Sequence, residues 1–193
     1  MTSILVNLRF IMMVAVAVRG HVQVLICQKM KKLLIFTCAF ISLSIQAQKS
    51  IDKLLKKHNN NNVPYITVQE LAIPKNDVFI LDSRELKEYQ TSHLKNAIHV
   101  GYDYFKIDSI QKKIPNKGSK IVVYCSVGIR SETIANKLKK VGYTNVENLF
   151  GGIFEWKNNN FSVYNSKEIE TDSIHTFSKE WSKWLKKGIK VYE

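Results

Sequence analysis

From residue 78 onward, short apolar runs alternate with stretches of helical periodicity. The runs fall at 78–81, 97–100, 121–124 and 146–149, and the periodic stretches between them at 84–90, 104–110 and 131–141. Strands alternating with helices in this way predict βα units on a mostly parallel central sheet flanked by helices, an α/β fold. Ile121, Val122, Val123 and Tyr124 are apolar on both alternating sets of positions. That run therefore belongs at the sheet's centre, covered on two sides. Ile134, Ala135, Leu138 and Val141 share one helical face ahead of Gly142, a usual helix terminator. Thr67 and Glu70 stand at capping-box spacing before Leu71.

Outside these units the pattern weakens. Ile51, Leu54 and Leu55 make a short amphipathic stretch that ends in the consecutive asparagines 59–62, and residues 48–62 read as a linker. A domain is expected over 63–158. A second asparagine run, 158–160, opens a C-terminal helical extension over 159–193. A final helix is expected there at about 176–187, with Phe177, Trp181 and Trp184 on the face that docks on the domain. At the other end, residues 30–48 read MKKLLIFTCAFISLSIQAQ, a basic start, an apolar run from Leu33 to Ile45 and a small residue, Ala47. The run is shorter than the roughly 20 residues of a membrane-spanning helix. It predicts a signal peptide over 30–47, cleaved after Ala47, and an exported product of the periplasm or cell envelope. Residues 1–29 read as a start assigned upstream of the true initiator Met30, the alternative being a short additional anchor.

Composition narrows the partners. The chain is 45% hydrophobic, which excludes a disordered or collagen-like chain. Basic residues outnumber acidic ones 29 to 16, but residues 1–47 hold five basic residues and no acid. The remainder carries 24 basic against 16 acidic residues, spread as isolated lysines without a recognition motif, so nucleic acid is not an expected partner. A monomer is expected. Cys27 and Cys38 lie before residue 48, which leaves Cys125 as the one thiol of a processed chain and no intrachain disulfide. Residues 48–193 contain 22 lysines and two arginines, Arg84 and Arg130. A lysine-biased chain that uses arginine at two places implies a demand for the planar guanidinium fork there.

Cys125 follows the central strand directly, where ligands bind in open α/β sheets. The short turn Ser126, Val127, Gly128, Ile129 and Arg130 then enters a helix near Ser131. A chain that reverses so tightly turns consecutive backbone N–H groups toward the sulfur, forming an anion cradle, and Gly128 relieves the steric limit. Amides, the helix N-terminus and Arg130 all favour negative charge. Thiols so placed have pKa values of roughly 3.5–7.5 against about 8.5 when free, so Cys125 is expected as a thiolate.

Three segments together resemble a known family, the rhodanese (thiosulfate sulfurtransferase) domain. LDSRELKEYQTSHLKNAIHV, residues 81–100, is similar to its N-terminal signature through Asp82, Arg84, Glu88, Tyr89, His93 and Ala97. CSVGIRS, residues 125–131, resembles the active loop, and LFGGIFEW, residues 149–156, the third motif. Ser92 and Asn96 depart from it where glycine is common. The resemblance implies a sulfurtransferase in which Cys125 carries a persulfide, taking a sulfane sulfur from thiosulfate or a persulfide donor and passing it to a thiol, cyanide or a protein acceptor. It implies no metal or other cofactor. Ser126 to Arg130 would bind the substrate, Arg130 meeting the anion, with Asp82, Arg84 and Ser131 in support. Asp82 and Arg84 read as a buried ion pair, His93 as a hydrogen-bonded structural histidine, and Gly151 and Gly152 as a tight turn. The alternatives are a non-catalytic or sulfur-relay module, and a cysteine phosphatase or arsenate reductase. The second is disfavoured because the loop is one residue shorter than phosphate-holding loops, and because Tyr124 stands where such phosphatases place histidine.

Overall fold

A computed structural model describes residues 51–74 and 77–192; the predicted leader and upstream segment lie outside the described residues. Five parallel strands form the sheet: β1 (Tyr65–Ile66), β2 (Val78–Asp82), β3 (Ile98–His99), β4 (Lys120–Tyr124) and β5 (Val146–Leu149), in the order β1-β5-β4-β2-β3. The helices are α1 (described over residues 51–58), α2 (Val68–Ala72), α3 (Leu86–Thr91), α4 (Ile107–Lys113), α5 (Arg130–Lys140) and α6 (Gly152–Asn158). Each strand and helix predicted over 78–149 is present, with helix starts shifted by one to three residues.

The doubly apolar run is the central strand. In β4, Val122 and Tyr124 pack into one core cluster with Leu149, Ile153 and Phe154, while Ile121 and Val123 pack into the other with Ile134, Ala135 and Leu138. The capping box at Thr67 is formed, the Glu70 amide donating to Thr67 Oγ1 and the Thr67 amide to Glu70 Oε2.

Two segments differ from expectation. Residues 51–62, read as part of a linker, start as helix α1, which buries Ile51 and Leu55, and Asn59 just beyond it is also buried. The asparagines disfavour regular structure, but Asn59 donates its side-chain amide to Tyr65 Oη and the Gly128 carbonyl, and the Asn60 main-chain amide donates to Glu132. In the extension, the helix expected at 176–187 is a single turn, α7 (Lys179–Ser182), among short strands. β6 (Val163–Tyr164) pairs antiparallel with β7 (Glu170–Thr171), and β8 (Ser173–His175) pairs parallel with β9 (Ile189–Val191). Local helix loses because the peptide groups after α7 find partners on the domain. Asn158 accepts from the Lys186 amide at 2.7 Å and donates to the Trp184 carbonyl at 3.0 Å, and Ser182 Oγ donates back to the Lys179 carbonyl at 2.8 Å. Trp181 and Trp184 pack on the core as expected, whereas Phe177 is 54% exposed.

The end of β2 is braced by a wholly buried ion pair. Arg84 Nη2 meets Asp82 Oδ2 at 2.6 Å and the Ser92 carbonyl at 2.5 Å, and Arg84 Nε donates to Asp82 Oδ1 at 3.0 Å. Tyr124 Oη, at the end of the neighbouring strand, donates to Asp82 Oδ2 at 2.6 Å and accepts from the Leu94 amide. The pair thus ties the ends of β2 and β4 to the loop after α3. Breaking a buried pair strands the remaining charge, so Arg84→Ala is expected to lower the unfolding free energy by about 3–5 kcal/mol in urea titration. Arg84→Lys should not restore it, because a single ammonium cannot reproduce the fork.

Candidate functional site

Cys125 leaves β4 with 1% of its surface exposed, and it is the only free cysteine among the described residues. The loop that follows is held by partners outside itself. The Ile153 and Phe154 amides, in the first turn of α6, donate to the carbonyls of Cys125 and Ser126 at 2.9 and 3.1 Å. Asn148, at the carboxyl end of β5, donates to the Gly128 carbonyl at 2.8 Å, and Asn59 donates to the same oxygen at 2.9 Å. With those carbonyls turned outward, two amides are directed at the sulfur. The Gly128 amide donates to Cys125 Sγ at 3.1 Å, and Ser131 lies against it with Oγ at 3.5 Å and its own amide directed at the thiol. The opening amides of α5 have no intrahelical carbonyl to serve, which leaves them available to a group carried on the sulfur.

Glycine is required twice. Gly128 has φ +109° and leaves 3.3 Å between a built Cβ and the Leu149 carbonyl. Gly152 has φ +55°, and a Cβ there would lie 2.2 Å from the Cys125 carbonyl oxygen. The tight turn read at Gly151 and Gly152 is therefore the device that seats α6 against the loop, both residues being in the left-handed region.

Burial alone pushes the Cys125 thiol up. The positive charge of Arg130, the Ser131 hydroxyl and amide, and the Gly128 amide outweigh it and hold the thiol below its ordinary value. Arg130 acts at this distance by charge, because its fork is occupied. Nη1 and Nη2 pair with Glu88 Oε2 and Oε1 at 2.8 and 2.7 Å, and Nη2 also donates to Ser126 Oγ at 3.1 Å. The fork expected to meet the substrate anion is thus paired with a carboxylate of the protein, and Arg130 still lines the cavity over the thiol. Glu88 is buried on α3 and needs a counter-charge. Burial pushes its carboxyl up, yet the Arg130 fork and the charge of Arg84 leave it below its ordinary value.

Asp82 and Arg84 are brought under the strand ends, apart from the thiol. His93 is structural: Nδ1 lies 3.0 Å from the Tyr89 carbonyl and Nε2 3.0 Å from Glu168, and the ring stacks on Tyr89. Over the loop lies a cavity of about 150 Å³, lined by Cys125, Ser126, Val127, Ile129 and Arg130 and by two residues of the extension, Phe177 and Trp181. Sequence reasoning missed the roles of Asn59, Asn148, Glu88 and this aromatic wall. Glu88 alone had a signal, as an acid in a signature that also holds one of the two arginines.

A family model described as rhodanese-like domain matches residues 67–159. The thiosulfate sulfurtransferase GlpE of Coxiella burnetii is 33% identical over 85 residues, covering 44% of this chain and 77% of that relative. With that coverage the chain belongs to the rhodanese-like family. A tRNA uridine(34) hydroxylase of Aster yellows witches'-broom phytoplasma is 35% identical over 103 residues, 48% of this chain, and the match spans 32% of the hydroxylase's own length. The crystal structure of a thiosulfate sulfurtransferase from Pseudomonas aeruginosa shares the fold at 17% identity, with a TM-score of 0.52 over 72% of this chain and 26% of that one.

Two measurements check the site. Because a lowered pKa keeps the thiolate populated as pH falls, the rate of Cys125 alkylation by iodoacetamide is expected to titrate below the free-thiol value of about 8.5. In the paired variant Glu88→Gln/Arg130→Met, which removes the cation without leaving Glu88 unpaired, the inflection should move up. Gly152→Ala forces a Cβ into main chain and is expected to cost about 3 kcal/mol or more, read as a lower urea midpoint.

Proposed function

We propose that the chain is a sulfurtransferase that carries a sulfane sulfur on Cys125. The observation that supports this most directly is a buried thiol held below its ordinary pKa, at a strand end, with amides aimed at its sulfur and a cavity above it. Fold and family alone do not assign a reaction.

In the first half-reaction the Cys125 thiolate attacks the outer sulfur of the donor. With thiosulfate, the new Sγ–S bond forms as the bond from sulfur to the sulfonyl group breaks, and sulfite leaves with that electron pair. With an organic persulfide the leaving group is the donor's thiolate. In the second half-reaction the sulfur of an acceptor thiol bonds to the outer sulfur and its proton passes to that atom. Cys125 then departs as a thiolate with the bonding pair, and cyanide would accept the sulfur in the same way as thiocyanate. The sulfane sulfur changes hands without an external oxidant or reductant. The loop amides stabilise the charge on the outer sulfur, and Arg130 stabilises the departing thiolate through space.

Phosphatase-type chemistry fits less well. In phosphoryl transfer the loop arginine's fork has to meet the oxygens of the reacting group itself, and here Glu88 holds both of its terminal nitrogens. A sulfur atom needs only amide donors and the field of that charge.

Intact mass spectrometry after thiosulfate treatment is expected to show the gain of one sulfur atom, removed by cyanide. Cys125→Ser should abolish both the mass gain and sulfite release, and sulfite release retained in that variant would overturn the assignment.

A further inference from the structure

Phe177 occupies a position that folding alone does not account for. It is a bulky residue with φ +63°, in the left-handed region that such residues rarely adopt, and the residue is 54% exposed. The backbone is held there by two bonds. The Ser178 amide donates to the Thr176 carbonyl across the turn at 2.7 Å, and the Phe177 amide donates to His175 Nδ1 at 3.1 Å. His175 is itself buried. Neither burial nor a relaxed backbone is gained, so the position makes sense by what the ring covers. It lies against the Arg130 guanidinium, 5.4 Å from ring centroid to Cζ, and with Trp181 it walls the cavity over Cys125.

The rest of the wall is equally informative. Val127 and Ile129 are the loop's apolar contributions, and Arg130, the cavity's one cationic lining residue among the described residues, is paired with Glu88 at 2.7 and 2.8 Å. A group entering this space meets apolar surface and a closed ion pair. An anionic group is best placed at the amides around the sulfur; between the two rings it would lose hydration without finding a free cation, whereas an uncharged alkyl or aryl substituent there gains contact with aromatic surface.

From this we infer that Phe177 and Trp181 are specificity-determining residues, and that the second substrate is an organic thiol whose substituent is apolar and uncharged. The inference rests on the sulfur-transfer reading and names the substrate class for it. In the transfer, the acceptor's sulfur bonds to the outer sulfur on Cys125 while its substituent lies between the two rings and the loop.

The test uses the full chain, loaded with inorganic polysulfide and checked by intact mass for the added sulfur. Unloading is then followed with propanethiol and with mercaptopropanesulfonate, at equal thiolate concentration and with each rate normalised to that of cyanide. The wild type is expected to prefer propanethiol by about tenfold or more. In Phe177→Ala and Trp181→Ala the ratio should fall to within about threefold of unity. Phe177→Gly removes the ring and relaxes the backbone, so it should raise the melting temperature while losing the preference. That combination separates a recognition role from a packing role. A loaded wild type that shows no preference, or a preference unchanged in folded Phe177→Ala and Trp181→Ala, overturns this inference alone. Failure to gain sulfur at all overturns the transfer reading and this one with it.

Discussion

The site depends on where the carbonyls of one short loop point. Main-chain donors and acceptors alternate, so amides can converge on a sulfur only if the carbonyls between them are satisfied on the outside. Here the partners come from three separate segments of the chain. The first turn of α6 takes the Cys125 and Ser126 oxygens, and the side chains of Asn148 and Asn59 take that of Gly128. Buried carbonyls left without such partners would cost on the order of 1–3 kcal/mol each, enough to turn the loop the other way. Gly152 is indispensable to the arrangement because only the absence of a Cβ lets α6 approach Cys125 so closely.

Charge in the interior is organised around two arginines. Each forms a fork with a carboxylate from the same N-terminal signature: Arg84 with Asp82, and Arg130 with Glu88. The first pair joins strand ends and has no contact with the thiol. The second places a cation close enough to depress the thiol while its terminal nitrogens pair with Glu88. The scarcity of arginine therefore did report a geometric demand, though the partners that demand it are carboxylates of the protein itself.

The extension completes the cavity. It is anchored by reciprocal backbone bonds between His93 and Tyr164, by Lys157 to Asp172 at 2.5 Å and by the double use of Asn158, so that a segment with little regular structure still presents Phe177 and Trp181 at a defined place. None of these contacts is local in sequence. A polar segment of this kind is ordered by the domain it lies on, more than by its own propensity.

What could be read from the chain by itself was whatever depends on neighbours a few residues away. The alternation of strands and helices, the central position of 121–124, the capping box at Thr67 and the glycine-bearing turn after Cys125 all follow from periodicity and local sterics. The pairing of Asp82 with Arg84 was legible for the same reason, the two being near neighbours in the chain. Tertiary structure alone decided which side chains meet across distance: Asn59 reaching Gly128, Glu88 taking the fork of Arg130, Asn158 unravelling the expected final helix, and Phe177 closing over the thiol. Such contacts arise when separate elements pack and compete for the same hydrogen-bonding groups, and no pattern within either segment specifies the outcome.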